Sequence, residues 1–145
     1  MDNEIKSVEE VRAFLKKVHV LAQSEEHTMI NSRSWAGKVN KTRQYMAETG
    51  IRAPVIRQIV RELRVCNYSS TKDDKNDNYI NEKVWIFGIT KNIVDQNEDL
   101  YIKLKIKKFE EDELLIMSFH PEQPMKAEDK LKFPYKNIMD EIKYE

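Results

Sequence analysis

Residues Leu100–Lys107 (LYIKLKIK) alternate between apolar and polar side chains without a break after the first pair. A helix would scatter Ile102, Leu104 and Ile106 around its circumference, whereas a strand sets all three on one face. The segment therefore reads as a half-buried strand whose outer face carries Tyr101, Lys103, Lys105 and Lys107. Leu114–Phe119 (LLIMSF) follows as an almost continuous apolar run, read as a central strand buried on both faces. The acidic link Glu110-Glu111-Asp112-Glu113 is too short for a crossover, so the two strands are expected to pair as an antiparallel hairpin.

Upstream the periodicity changes. Ser7 and Glu10 have capping-box spacing, and Val8, Val11, Leu15, Val18 and Ala22 recur at helical intervals, which predicts a helix over 7–23. Residues 24–35 have no period and read as a loop. A second helix is expected from Lys38 to Glu48, closed by Gly50. A third follows Pro54, which suits a first turn, with Ile56, Ile59, Val60 and Leu63 as its apolar stripe. Residues 67–82 are polar and rich in Asn, Asp and Ser, and read as a long loop. Lys83–Ile89 is a β-branched and aromatic strand, with Trp85 expected in the core. The proline-bearing tail is expected to wrap the sheet before a short helix near 136–143. Helices first and strands second give an α+β fold, with N-terminal helices packed on a small twisted antiparallel sheet. At 145 residues this is one domain.

Charge is balanced overall, with 25 basic and 25 acidic residues, which argues against a uniformly basic coat for nucleic acid. Its distribution is uneven. Residues 32–64 carry eight Lys or Arg against Glu48 and Glu62, while residues 109–145 carry ten acidic against five basic residues. Such asymmetry speaks to partners. No apolar run reaches the length of a membrane span. The opening MDNEIKSVEE has no apolar leader region. A lone Cys66 fits a reducing compartment, so a cytoplasmic location is expected.

The chemistry on offer is narrow. Gly37, Gly50 and Gly88 are the three glycines, too few and too scattered for a phosphate-binding loop. His19, His27 and His120 have no metal-ligand spacing with each other or with Cys66, so neither metal nor cofactor is expected. What remains is Tyr101, Lys103 and Lys105 on one strand face, with His120 and Ser118 at the end of the neighbouring strand. A phenol, ammonium groups and an imidazole are what RNA cleavage through the ribose 2′-hydroxyl requires: a base, an acid and cations for the phosphate. Lys72 in the long loop, and Arg57, Arg61 and Arg64 on the third helix, are further candidates for holding an RNA backbone.

The segments VWIFG (84–88), YIKLKI (101–106), LLIMSFH (114–120) and KFPYK (132–136) occur in an order and at intervals that resemble the MqsR-like toxins of bacterial type II toxin–antitoxin systems. NYS (67–69) after the third helix, and KTRQYMAETGI (41–51), fit the same pattern. The resemblance covers roughly residues 38–136 and leaves 1–37 as an added helix and loop before a toxin-like core, 38–145. It implies a RelE-like fold, metal-independent cleavage of mRNA that halts translation, and a cognate antitoxin as partner. It also implies catalytic roles for Tyr101 and His120. Two family positions differ: Ser70 stands where the family has a lysine, and Ile86 where it has a glutamine. A different class of function is a non-catalytic module that holds nucleic acid or protein through the basic strand and the Arg-bearing helix. A third is an adaptor acting through the acidic tail.

Overall fold

The computed structural model describes residues 3–31, 39–74, 82–108, 110–123 and 130–139. It is an α+β fold. The elements in chain order are β1 (Asn3–Glu4), α1 (Val8–Ala22), β2 (Thr28–Ile30), α2 (Lys41–Thr49), α3 (Ala53–Arg61), β3 (Tyr68–Asp73), β4 (Lys83–Ile93), β5 (Gln96–Lys108) and β6 (Asp112–Pro121). The six strands form one sheet in the order β1-β3-β4-β5-β6-β2. Every pairing is antiparallel except β2 with β6, which is parallel.

Local chemistry explains the helices. Ser7 and Glu10 form the capping box, each side chain bonding the other's backbone N–H at 3.2 and 3.1 Å. Asn40 caps α2 by accepting from the Arg43 N–H, and Gly50, at φ 78°, ends it in the left-handed region that glycine enters without penalty. Val11, Leu15, Val18, Ile56, Val60 and Leu63 are fully buried. They meet Leu100, Ile102, Leu104, Leu114, Ile116 and Phe119 from the sheet in one core. Each such side chain contributes roughly 1.5–3 kcal/mol on leaving water. Phe14 stacks on Trp85 with ring centroids 4.1 Å apart, so Trp85 lies on the core face. His19 is 3% exposed and bonds the Leu63 carbonyl through Nε2 at 2.9 Å, tying α1 to the end of α3.

Several sequence expectations change. Residues 24–35 are not all loop, because Thr28–Ile30 adds an edge strand beside Leu114–Ile116. Residues 67–82 are not all loop either. Tyr68–Asp73 is β3 and pairs with Lys83–Phe87 around a bulge at Ser69. Its apolar content is low because Tyr68 and Thr71 face inward and bond each other, Tyr68 Oη to Thr71 Oγ1 at 2.7 Å. β4 and β5 run on to a two-residue hairpin at Val94 and Asp95, both at positive φ. No glycine marks that turn, and its primed geometry matches the twist of the strands. β6 is buried on one face, not two: Leu114, Ile116 and Phe119 are in the core, while Leu115, Met117 and Ser118 are half-buried. The second helix begins at Lys41, and Lys38 lies outside the described residues. Residues 134–137 form a turn, and the expected last helix falls largely outside the described residues.

In the segment 130–136 (KLKFPYK), Leu131 and Phe133 lie against Gly88 on the outer face of the sheet, while Tyr135 stacks on Tyr68 and packs against the core. Leu131, Phe133 and Tyr135 are partly buried, and Lys130, Lys132, Pro134 and Lys136, which alternate with them, are exposed. Gly88 makes the close approach possible. A Cβ there would meet Phe133 Cζ at 2.8 Å and Leu131 Cδ1 at 3.0 Å. The Leu131 N–H donates to Glu122, and Tyr135 Oη donates to the Lys6 carbonyl. Gly88→Ala is expected to lift this strap from the sheet, since side-chain ends yield before strands do. The cost should be about 1 kcal/mol, the low end for overpacking. A urea midpoint with limited proteolysis within 130–139 measures it; an unchanged midpoint and cleavage pattern would mean that the strap is not seated on Gly88.

Candidate active site

The outer face of the sheet carries the site. β5 and β6 pair Tyr101 with His120 and Lys103 with Ser118. After Ser118 the register shifts, and Leu104 pairs with Ile116, leaving Met117 as a bulge. The bulge decides which way the end of β6 faces. With strict alternation after Ile116, His120 would point to the core and Phe119 to solvent. The extra residue reverses the phase, so Phe119 is fully buried while Ser118 and His120 emerge beside Lys103 and Tyr101.

Two rows of side chains result, Gly88–Tyr101–His120 and Ser70–Ile86–Lys103–Ser118. Tyr101 and His120 stack, centroids 5.4 Å apart and planes 16° from parallel. His120 Nδ1 lies 2.9 Å from the Pro121 carbonyl. A carbonyl only accepts, so Nδ1 carries the proton and the neutral ring keeps its Nε2 lone pair free. Burial pushes the His120 imidazole below its ordinary value, and the cations Lys41 and Lys103 add to this against the Pro121 hydrogen bond. Burial also lowers the Lys103 ammonium, with Lys72 adding and Asp74 opposing. Burial raises the Tyr101 phenol, which stays protonated at neutral pH.

α2 closes one side. The Phe119 N–H donates to Thr42 Oγ1 at 2.9 Å, which seats the start of α2 against β6 and brings Lys41 to the rim. The cleft so formed has a volume of about 300 Å³ and is lined by Lys41, Tyr101, Lys103, Ser118, His120, Glu122, Gln123 and Leu131. A larger depression of about 900 Å³ adjoins it, sharing Tyr101 and Leu131.

Five candidates do not join this cleft: Lys105, Arg57, Arg61, Arg64 and Lys72. Lys105 was expected on the open cationic face but is 2% exposed, held by Asp74 at 2.5 Å and Glu82 at 2.6 Å. Burial pulls its ammonium down, but those two carboxylates outweigh burial and raise it. Arg57 is spent on structure: its guanidinium donates to the Ala22 and Gln23 carbonyls at 3.3 and 3.4 Å, closing the end of α1. Arg61 is exposed on α3, on the helical side of the sheet, and its guanidinium donates to Gln58. Lys72 lines the neighbouring depression. Lys41 was missed, because a lysine in a first helical turn carries no signal until the fold sets it beside β6.

Among the described residues, no group of three His, Cys, Asp or Glu side chains is placed to share a metal ion, and no helix is long and apolar enough to cross a membrane. The chain matches no protein-family model, no curated protein and no solved structure.

Proposed function

We propose that this protein is a metal-independent endoribonuclease with a RelE-like arrangement of helices on a sheet, acting on mRNA as the toxin of a type II toxin–antitoxin pair. The observation that carries the reading is the convergence of His120, Tyr101, Lys103 and Lys41 on one cleft. A cognate antitoxin is the partner this implies.

The roles follow from protonation state. His120 Nε2 takes the proton of a ribose 2′-hydroxyl. The 2′-oxygen then bonds to phosphorus, and the phosphorus–5′-oxygen bond breaks. Lys103 and Lys41 stabilise charge on the phosphate as it develops. Lys103, lowered by burial, is the more acidic donor and returns a proton to the departing 5′-oxygen. Tyr101 remains a phenol, stacks on the His120 imidazole and donates a hydrogen bond to the phosphate. The products are a 2′,3′-cyclic phosphate and a 5′-hydroxyl.

Incubation of the pure protein with end-labelled single-stranded RNA in EDTA tests this. Cleavage with those end groups is expected. The rate should rise with pH through an inflection below 6.5, as His120 loses its proton, and fall through another below 10.5, as Lys103 loses its own. Cleavage that requires added Mg²⁺ and leaves 5′-phosphates would refute this chemistry. The binding-module reading is favoured by one observation: Ser70 and Ile86 replace the family's lysine and glutamine in the same row as Lys103. Salt-sensitive RNA binding without cleavage would support it instead.

A further inference from the structure

The depression beside the cleft is lined by Lys72 from β3 and by Lys130, Lys132 and Lys136 from the strap, with no carboxylate among the described lining residues. None of these four lysines forms an ion pair among the described residues, unlike Lys83, Lys91 and Lys105, which are matched by Asp or Glu. The strap has a strand-like period of two, with its apolar residues anchoring on the sheet while its lysines remain exposed. The strap thus holds three exposed cations close together with no ion-pair partner among the described residues, a positive potential that an anionic chain would complement. The arrangement favours a chain of charges over a single ion, because four lysines from two separate segments, β3 and the strap, are spread around a hollow of about 900 Å³. The hollow is continuous with the cleft through Tyr101 and Leu131. Lys72 lies close enough to Lys103 to lower its ammonium.

We propose that this lysine-lined depression is a backbone subsite for single-stranded RNA, holding the phosphates that flank the one placed in the cleft. The inference rests on the reading of the cleft as the site of RNA cleavage. Phe133 is committed to Gly88, so the subsite offers no free aromatic face from the strap. It grips phosphates and is indifferent to base identity. Any sequence preference then belongs to the cleft.

The test is a fluorescent 2′-O-methyl oligonucleotide of about eight nucleotides, which binds but cannot be cleaved. It is titrated against the full chain and against K130Q/K132Q/K136Q at several salt concentrations. For single strands the log–log salt slope is about −0.7 per phosphate contact. The triple variant should therefore flatten the slope by roughly two and weaken binding by on the order of tenfold or more at low salt. Cleavage of a dinucleotide, which has no flanking phosphates, should be unchanged. The exposed substitutions leave the core intact, and circular dichroism confirms folding. Unchanged affinity and slope, with cleavage intact, would overturn the subsite and leave the cleft reading standing. Lysine-dependent binding without any cleavage would uphold the subsite and remove the cleft reading. Tighter lysine-dependent binding of a polyglutamate peptide than of the oligonucleotide would overturn the subsite in favour of a protein partner.

Discussion

His120→Ala should lower the rate of RNA cleavage by roughly 10²–10⁴, the usual loss on removing a positioned acid–base group. Expressed alone in bacteria, the wild-type chain should slow growth, and the variant should relieve that effect. The two outcomes have one cause, the loss of the Nε2 lone pair that the Pro121 carbonyl keeps available by holding the proton on Nδ1. Stability should change little. His120 sits at a strand end, is partly exposed, and contributes chiefly its stacking on Tyr101, about 1 kcal/mol. Thermal unfolding of both proteins separates the possibilities. A variant that unfolds with the wild-type midpoint and still cleaves at the wild-type rate removes His120 from the mechanism.

Lys105→Met should act in the opposite way, through stability. It leaves the Asp74 and Glu82 carboxylates, 11% and 22% exposed, facing each other beside a hydrophobic side chain. Breaking a buried pair from one side costs roughly 3–5 kcal/mol, and the partial exposure of both acids favours the lower figure. For a chain of this length that corresponds to a fall in Tm on the order of 10 °C. Adding Asp74→Asn and Glu82→Gln should restore much of the loss, because the destabilisation comes from two carboxylates held close together without the Lys105 charge between them. Urea midpoints of the single and triple variants measure both. A single variant within about 1 kcal/mol of wild type would mean that the two acids swing into water when Lys105 is removed. The same experiment bears on function, since these acids flank the end of β3 that presents Lys72.

Much of the fold was legible because it depends on short-range pattern. The capping box at Ser7, the apolar stripes of α1 and α3, the Gly50 stop and the alternation of β5 each follow from neighbours within a few residues. β3 was hidden, because Tyr68 and Thr71 satisfy an inward face with a hydroxyl pair that reads as polar. β2 was hidden as well: three residues carry no period, and the parallel partner lies far along the chain. The N-terminal segment read as an addition supplies both edge strands and a large part of the core, a role visible only once α1 packs against the sheet.

For the site, the sequence alone determined the chemical inventory: a tyrosine and lysines at period two on one strand, and a serine and histidine near the end of the next. Which of them meet was decided by the tertiary structure. The bulge at Met117 reverses the phase of β6 and brings His120 out beside Tyr101, and a one-residue insertion leaves no mark in residue type. Lys103 and Lys105 are equivalent in the alternation. Long-range charge separates them, since Asp74 and Glu82 close over Lys105 while Lys103 keeps no carboxylate partner within ion-pair distance among the described residues. Arg57 leaves the candidate set for a similar reason, because the unpaired carbonyls at the end of α1 lie within its reach. Pattern along a chain fixes which face a side chain takes within its own element. Partners distant in sequence fix whether its charge is neutralised or left free for a substrate.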